Sequence, residues 1–242
     1  MNKSTNDEQQ MTEDNNAIGL LEIIYETDDI IAINKPHGLL VHRSRIANDA
    51  KEFALQLLRN QIDQRVYPAH RLDRKTSGVL LFAKNTETNS ALQILFQERK
   101  MRKTYTAIVR GFVAEKGMID YAIGENEKVQ KAVTHYELMQ YFEIPVPFGK
   151  HETSRYSLVK LHPQTGRFHQ LRKHMAHIFH PIIGDRPHGC NKQNKLWKTH
   201  FDMTIMLLHA ENLEFEWQGK TIHLQAKKST EFERVLTSIL NK

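Results

Sequence analysis

Cysteine is almost missing: Cys190 is the only one in 242 residues. A lone thiol excludes an internal disulfide framework and suits a reducing compartment, so a cytoplasmic location is expected. No apolar run is long enough to cross a bilayer as a helix, and no membrane association is expected. The opening stretch MNKSTNDEQQMTEDNNA is polar and acidic and lacks the apolar segment of a secretory signal. GxGxxG, P-loop, CxxC and HExxH stretches are all missing, which leaves dinucleotide, P-loop and common zinc chemistry unsupported.

What is present is ordinary globular composition with a basic bias. Hydrophobic residues make up 40% and charged residues 26%, enough apolar material for a sizeable core. The formal net charge is +6, although residues 1–17 carry Lys3 against Asp7, Glu8, Glu13 and Asp14. The rest of the chain is therefore more basic than the total shows. That surplus suits a polyanionic partner, nucleic acid above all, or simply a soluble basic surface. Residues 1–17 read as a disordered tail and 18–242 as a single domain. A monomer is expected.

Alternating and continuous apolar patterns predict strands at Leu20–Tyr25, Ile30–Asn34, Gly78–Ala83, Lys103–Arg110, Thr134–Phe142 and Tyr156–Leu161. A hairpin is predicted from Leu208–Trp217 through Gln218-Gly219 to Thr221–Gln225. Helical spacing covers 50–62, 87–99, Arg167–Phe179 and Thr230–Leu240. In the third of these, Phe168, Leu171, Met175, Ile178 and Phe179 form the expected core stripe, with Arg172 at its border. Only some strands are separated by helices, so an α+β fold with a mixed, largely antiparallel sheet is expected.

The stretch with most chemistry is His70-Arg71-Leu72-Asp73-Arg74-Lys75-Thr76-Ser77-Gly78. A carboxylate between two arginines favours its ionised form and can serve as nucleophile or base. Taken alone, the same residues also fit a surface loop with exposed charges. Tyr105 alone fits a core position, and Arg172 a solvent-facing helix charge. The basic sets Arg99-Lys100-Met101-Arg102-Lys103 and Lys192, Lys195, Lys198 are candidate phosphate contacts or solvated faces.

The order of motifs adds weight. HRLDRKTSGVLLFAK resembles the H-R-L-D-x-x-T-S-G motif of the RluA-type pseudouridine synthases. Asn34-Lys35-Pro36-His37-Gly38, Lys103-Thr104-Tyr105, Thr165-Gly166-Arg167-Phe168-His169-Gln170-Leu171-Arg172-Lys173-His174, His180-Pro181-Ile182-Ile183-Gly184-Asp185 and Leu207-Leu208-His209-Ala210 resemble further motifs of that family, in its order. Together they cover roughly residues 20–226. The resemblance implies the family fold, conversion of a uridine in RNA to pseudouridine, and no cofactor or metal. By the same resemblance Asp73 is the catalytic carboxylate, Arg172 its ion-pair partner and Tyr105 the residue packed on the target base. Arg71 would fill the gap left in the RNA stack by the flipped uridine, with Leu72 and Leu171 as apolar walls and His70 as loop support. Arg74 and Lys103 are expected to contact RNA, as are Arg167, His169 and Lys173. The finer resemblance is to a branch of the family that acts on uridine 65 of certain tRNAs, so a folded tRNA is the expected partner.

Three other readings compete. Crowded histidines (His162, His169, His174, His177, His180, His188) suggest a metallo-hydrolase, but lack carboxylate or thiolate companions at ligand spacing. A non-catalytic RNA-binding protein of the same fold is the second; filled catalytic positions speak against it. The third is a synthase acting on ribosomal RNA. Many of those carry an S4-type RNA-binding domain, for which the residues before the first strand leave no room.

Overall fold

Gly78–Ala83 is apolar at every position, as a strand covered on both faces requires. It lies in the middle of the fold with every residue of Ser77–Ala83 buried. The structure is a computed structural model and describes residues 19–43, 51–125 and 128–240. The acidic stretch 1–17 lies outside the described residues.

In chain order the elements are β1 (Glu22–Glu26), β2 (Ile30–Lys35), α1 (Ala54–Ile62), β3 (Tyr67–Pro68), β4 (Ser77–Ala83), α2 (Thr86–Gln97), β5 (Arg102–Arg110) and β6 (Lys116–Asp120). They continue with β7 (Ile123–Glu125), β8 (Lys128–Gln130), β9 (Val133–Ile144), β10 (Ser154–Pro163), α3 (Gln170–His177), α4 (Asn191–Phe201), β11 (Leu208–Trp217), β12 (Lys220–Gln225) and α5 (Thr230–Leu240). One large sheet runs β1-β2-β4-β11-β5-β10-β9-β6, with β3 beside β4 and β12 beside β11. The β4–β11 pair is parallel and the other pairs in this sheet are antiparallel. This is the expected mixed, largely antiparallel α+β fold.

The parallel pair depends on Gly78. Its φ is +111°, and a Cβ there would stand 2.1 Å from the carbonyl oxygen of Ala210 on β11. Only glycine permits both the backbone angle and the approach. Side chains on alternate faces of β4 then enter different cores. Leu80 and Phe82 pack with Ala54 and Leu58 of α1, and Val79 and Leu81 with Leu92 of α2. Leu171 and Met175 of α3 cover Val159 and Leu161 of β10. Trp197 of α4 and Phe232 of α5 close the last core over Tyr156.

Two expectations need correction. The helix predicted for Arg167–Phe179 spans only Gln170–His177, because His169 (φ 56°) and Phe179 (φ 65°) adopt left-handed backbone at its ends. Gln170 turns the preceding loop back on itself: its Oε1 accepts from Thr165 Oγ1 at 2.7 Å and from the Arg167 amide at 3.0 Å. Phe168 (38% exposed) and Phe179 (86% exposed) are consequently outside the core, whereas Leu171 and Met175 are in it. Residues 191–201, read as a lysine-bearing surface, form α4. Its apolar residues are only Leu196, Trp197 and Phe201, of which Trp197 and Phe201 continue a buried line from Gln193 at four-residue steps. Strands β6, β7 and β8 are further elements that the apolar pattern does not reveal.

Candidate active site

Asp73 occupies the turn leading into β4, which the Thr76 amide closes by donating to the Asp73 carbonyl at 3.0 Å. Buried neighbours fix this turn. His209 is wholly buried and burial lowers its pKa, so it is neutral. Its Nε2–H donates to Ala226 O (3.0 Å), which leaves Nδ1 to accept from Ser77 Oγ at 2.9 Å. His70 is pushed down to about 3, by burial and then by Lys103; its unprotonated Nε2 accepts from the Leu81 amide at 3.1 Å. This agrees with a supporting role in the loop.

Lys35 ends β2 with no exposed surface. Its Nζ donates to the carbonyls of Leu39 (2.8 Å), Pro36 (2.9 Å) and Arg74 (3.2 Å), stapling the Pro36–Gly38 loop to the Asp73 turn. Burial brings its ammonium down to about 7 despite the attraction of Asp73. The folded protein therefore holds this proton only below about pH 7, while the unfolded chain holds it up to about 10.5. Between those values the unfolded state binds more protons, so the Lys35 contribution to stability improves as pH rises. Wild type is expected to gain stability relative to Lys35→Met between about pH 7 and pH 9 in urea denaturation. A pH-independent difference contradicts this reading.

Arg172, on α3, is 5% exposed and joins two distant carboxylates. Nη1 donates to Asp73 Oδ2 at 3.1 Å. Nε and Nη2 donate to Asp185 Oδ2 and Oδ1 at 2.9 and 2.7 Å. His169 stands beside this group, its Nε2 3.8 Å from Asp73 Oδ2 and its Nδ1 2.8 Å from His188 Nε2. Burial, with Arg172 and His188, holds His169 near 4 against the pull of Asp73, so it is uncharged at neutral pH. Tyr105 packs against the cores beneath α1 and α3, and burial followed by the Asp73 charge raises its phenol well above the ordinary value. It keeps its proton throughout the physiological range. Asp73, Tyr105, Arg172, Leu72, Leu171 and His169 all line one cavity of about 590 Å³. That volume lies within the range of small-molecule sites.

Residues 29–177 match the family described as RNA pseudouridylate synthase. The chain belongs to that family. A Vibrio parahaemolyticus protein named tRNA pseudouridine synthase C is 47% identical over 207 residues, covering 81% of this chain and 84% of its own. A Yersinia pestis protein of the same name is 48% identical over 222 residues, covering 86% of each chain. The structure titled Human RNA Pseudouridylate Synthase Domain Containing 1 superposes with a TM-score of 0.69 at 24% identity. The match covers 86% of this chain and 83% of the human one. That likeness is one of fold.

Around this pseudouridine synthase cavity, the other motif residues fall into distinct places. Arg71, Leu72, Lys103, Arg167 and His169 line it. Arg74 lies on its outer side, with Nε donating to Gly38 O at 3.0 Å. Lys103 Nζ reaches Thr165 O (3.3 Å) and is pushed down to about 8, by burial and then by Arg99. Arg167 Nε reaches Lys131 O at 3.2 Å. The Arg71 guanidinium and the Lys173 ammonium lie 5.8 and 5.5 Å from the ring centre of Phe168, which stacks on His169 at 3.7 Å. Phe168 is thus an aromatic ring of the cleft mouth that helical periodicity had assigned to the core.

The two basic sets divide. Arg99 and Lys103 line the cavity, whereas Lys100 pairs with Glu98 and Arg102 with Glu214. Lys192, Lys195 and Lys198 are exposed on α4, outside the cavity lining. The histidines disperse into separate roles. His174 uses Nδ1 on Thr134 Oγ1 and Nε2 on Tyr121 O, both at 2.9 Å; His177 stacks on Tyr121; His180 Nδ1 meets Arg110 O at 2.8 Å. Among the described residues, no three His, Cys, Asp or Glu side chains are grouped closely enough to share a metal ion. Likewise, no described helix is long and apolar enough to cross a membrane.

Proposed function

We propose that this pseudouridine synthase acts on tRNA, at uridine 65, and that Asp73 is its reacting carboxylate. The observation that carries the assignment of Asp73 is its 3.1 Å contact with Arg172, 99 residues away in sequence, at the wall of a cavity of nucleoside dimensions. The near-50% identity to proteins named tRNA pseudouridine synthase C supports tRNA as the substrate.

In the reaction the N1–C1′ bond breaks and a C5–C1′ bond forms. The C5 proton leaves and N1 gains one. No electrons are transferred and no water is consumed. Asp73 supplies a charged oxygen beside the nucleoside, and Arg172 fixes its orientation. Tyr105, protonated, offers a ring face and an O–H to the base. Leu72 and Leu171 exclude water, and Arg71 takes the place of the extruded nucleotide in the RNA stack. Lys103, Arg167 and Lys173, with Arg74 outside, contact the RNA backbone.

Mapping pseudouridine in total RNA from cells with and without the gene tests the substrate. Loss of the modification at tRNA position 65 is the expected result. Loss of a ribosomal RNA site instead overturns the tRNA assignment and keeps the chemistry. Activity of the purified protein is expected to survive EDTA, and its loss there would reinstate a metal-dependent reading of the histidines.

A further inference from the structure

Asp185 is 1% exposed and cannot touch a substrate, yet it makes two of the three hydrogen bonds to the guanidinium that faces Asp73. An unconstrained arginine binds a carboxylate through its fork, with two parallel N–H donors on both oxygens. Here Asp185 occupies that edge. Asp73 therefore receives one contact, from Nη1 to Oδ2, and its Oδ1 accepts no hydrogen bond among the described residues. Two carboxylates thus share one guanidinium, with the fork on Asp185 and the single contact on Asp73.

Asp185 is itself held without slack. Asn194, from α4, donates through Nδ2 to the Asp185 carbonyl (2.7 Å) and accepts from the Gly184 amide through Oδ1 (2.8 Å). Gly184 has φ +84°, and a Cβ there would stand 2.4 Å from Ile205 O. A Cβ on Gly189 would stand 2.0 Å from Asp185 O. The backbone around Asp185 thus has little room to shift, and a fixed carboxylate passes its position on to Arg172.

We propose that Asp185 is a positioning residue of the isomerisation, clamping the Nε–Nη2 edge of Arg172 so that Asp73 is steadied by a single contact and keeps a free, charged oxygen. This rests on Asp73 being the reacting carboxylate.

Asp185→Asn keeps the shape and removes the charge. Its kcat for tRNA is expected to fall by about 10²-fold, as for a misplacement of about 1 Å in a reacting pair, with KM within about threefold. The acid limb of the kcat–pH profile is expected to move to lower pH, because Arg172, relieved of its second carboxylate, acts more strongly on Asp73. Native kcat, or a reduced kcat with an unmoved acid limb, overturns the proposal, since a purely structural defect lowers the active fraction without moving the limb. Should Asp185→Asn fail to fold, Asp185→Glu decides: it keeps the charge and displaces it by one methylene. With the folded fraction measured by circular dichroism, a fall in kcat per folded molecule at near-native KM supports the clamp, and native kcat per folded molecule refutes it. Wild type and Asp73→Asn run alongside. An inactive wild type, or an active Asp73→Asn, strikes at the proposed function and leaves a separate signature from any result at position 185.

Discussion

Asp73→Asn is expected to lower turnover on tRNA by on the order of 10⁴-fold or more, the scale seen when a reacting group is removed, while RNA affinity stays within about threefold of wild type. The reason lies in what the substitution leaves intact. Asparagine has the shape of aspartate, and its side-chain oxygen can still accept from Arg172 Nη1. Arg172 keeps its fork on Asp185, so the guanidinium is not stranded without a counter-charge. The Asp73 side chain is 20% exposed, so the new amide can also hydrogen-bond to water. Stability should change by no more than about 1 kcal/mol. In the proposed complex the surrounding cations contact phosphates and so govern RNA affinity, without involving this oxygen. Tritium release from C5-labelled uridine in tRNA, filter binding and thermal denaturation measure the three quantities. Turnover within tenfold of wild type would remove Asp73 from the chemistry.

Arg172→Met should produce the opposite balance, a loss of stability together with a loss of activity. Asp185 is nearly inaccessible to water, and Arg172 is its ion-pair partner. Removing one member of a buried pair leaves a charge without compensation and costs about 3–5 kcal/mol. Replacing both members by apolar residues of similar size is close to neutral. Arg172→Met with Asp185→Leu is therefore expected to recover most of the lost stability and none of the activity, because nothing then orients Asp73. Urea denaturation of the two single variants and the double variant makes a thermodynamic cycle. Arg172→Lys belongs in the same series: a lysine has one charged nitrogen and cannot form the planar fork and the third contact together. If Arg172→Met is as stable as wild type, the burial of this pair is wrong.

Much of this arrangement was legible from the residues and some was not, for local reasons. The continuous apolar run 78–83, the 208–225 hairpin and the helix 230–240 each have one dominant period and clear ends, and all are found as expected. The Asp73–Arg172 contact was expected from motif order alone and is present. Helical spacing continues through Phe168, but Gln170 hydrogen-bonds backward and His169 turns left-handed, and no periodicity reports a side-chain bond of that kind. In α4 the lysines obscure a narrow stripe of Gln193, Trp197 and Phe201. Asp185 and Lys35 are visible as letters in motifs, yet their partners are Arg172 and a set of backbone carbonyls, which only the folded chain brings near.

The side-by-side placement of β4 and β11 has a further consequence for how the enzyme comes into being. Ser77 and His209 meet across 132 residues, and the turn bearing Asp73 is anchored by that meeting. Contacts so far apart along the chain close late and slowly, because a long loop must be ordered before they form. During synthesis, then, the turn bearing Asp73 emerges together with its Lys35 staple, but its anchor on β11 follows only 132 residues later. Until His209 follows, Ser77 lacks that buried partner, so the setting of the turn waits for a distant part of the chain.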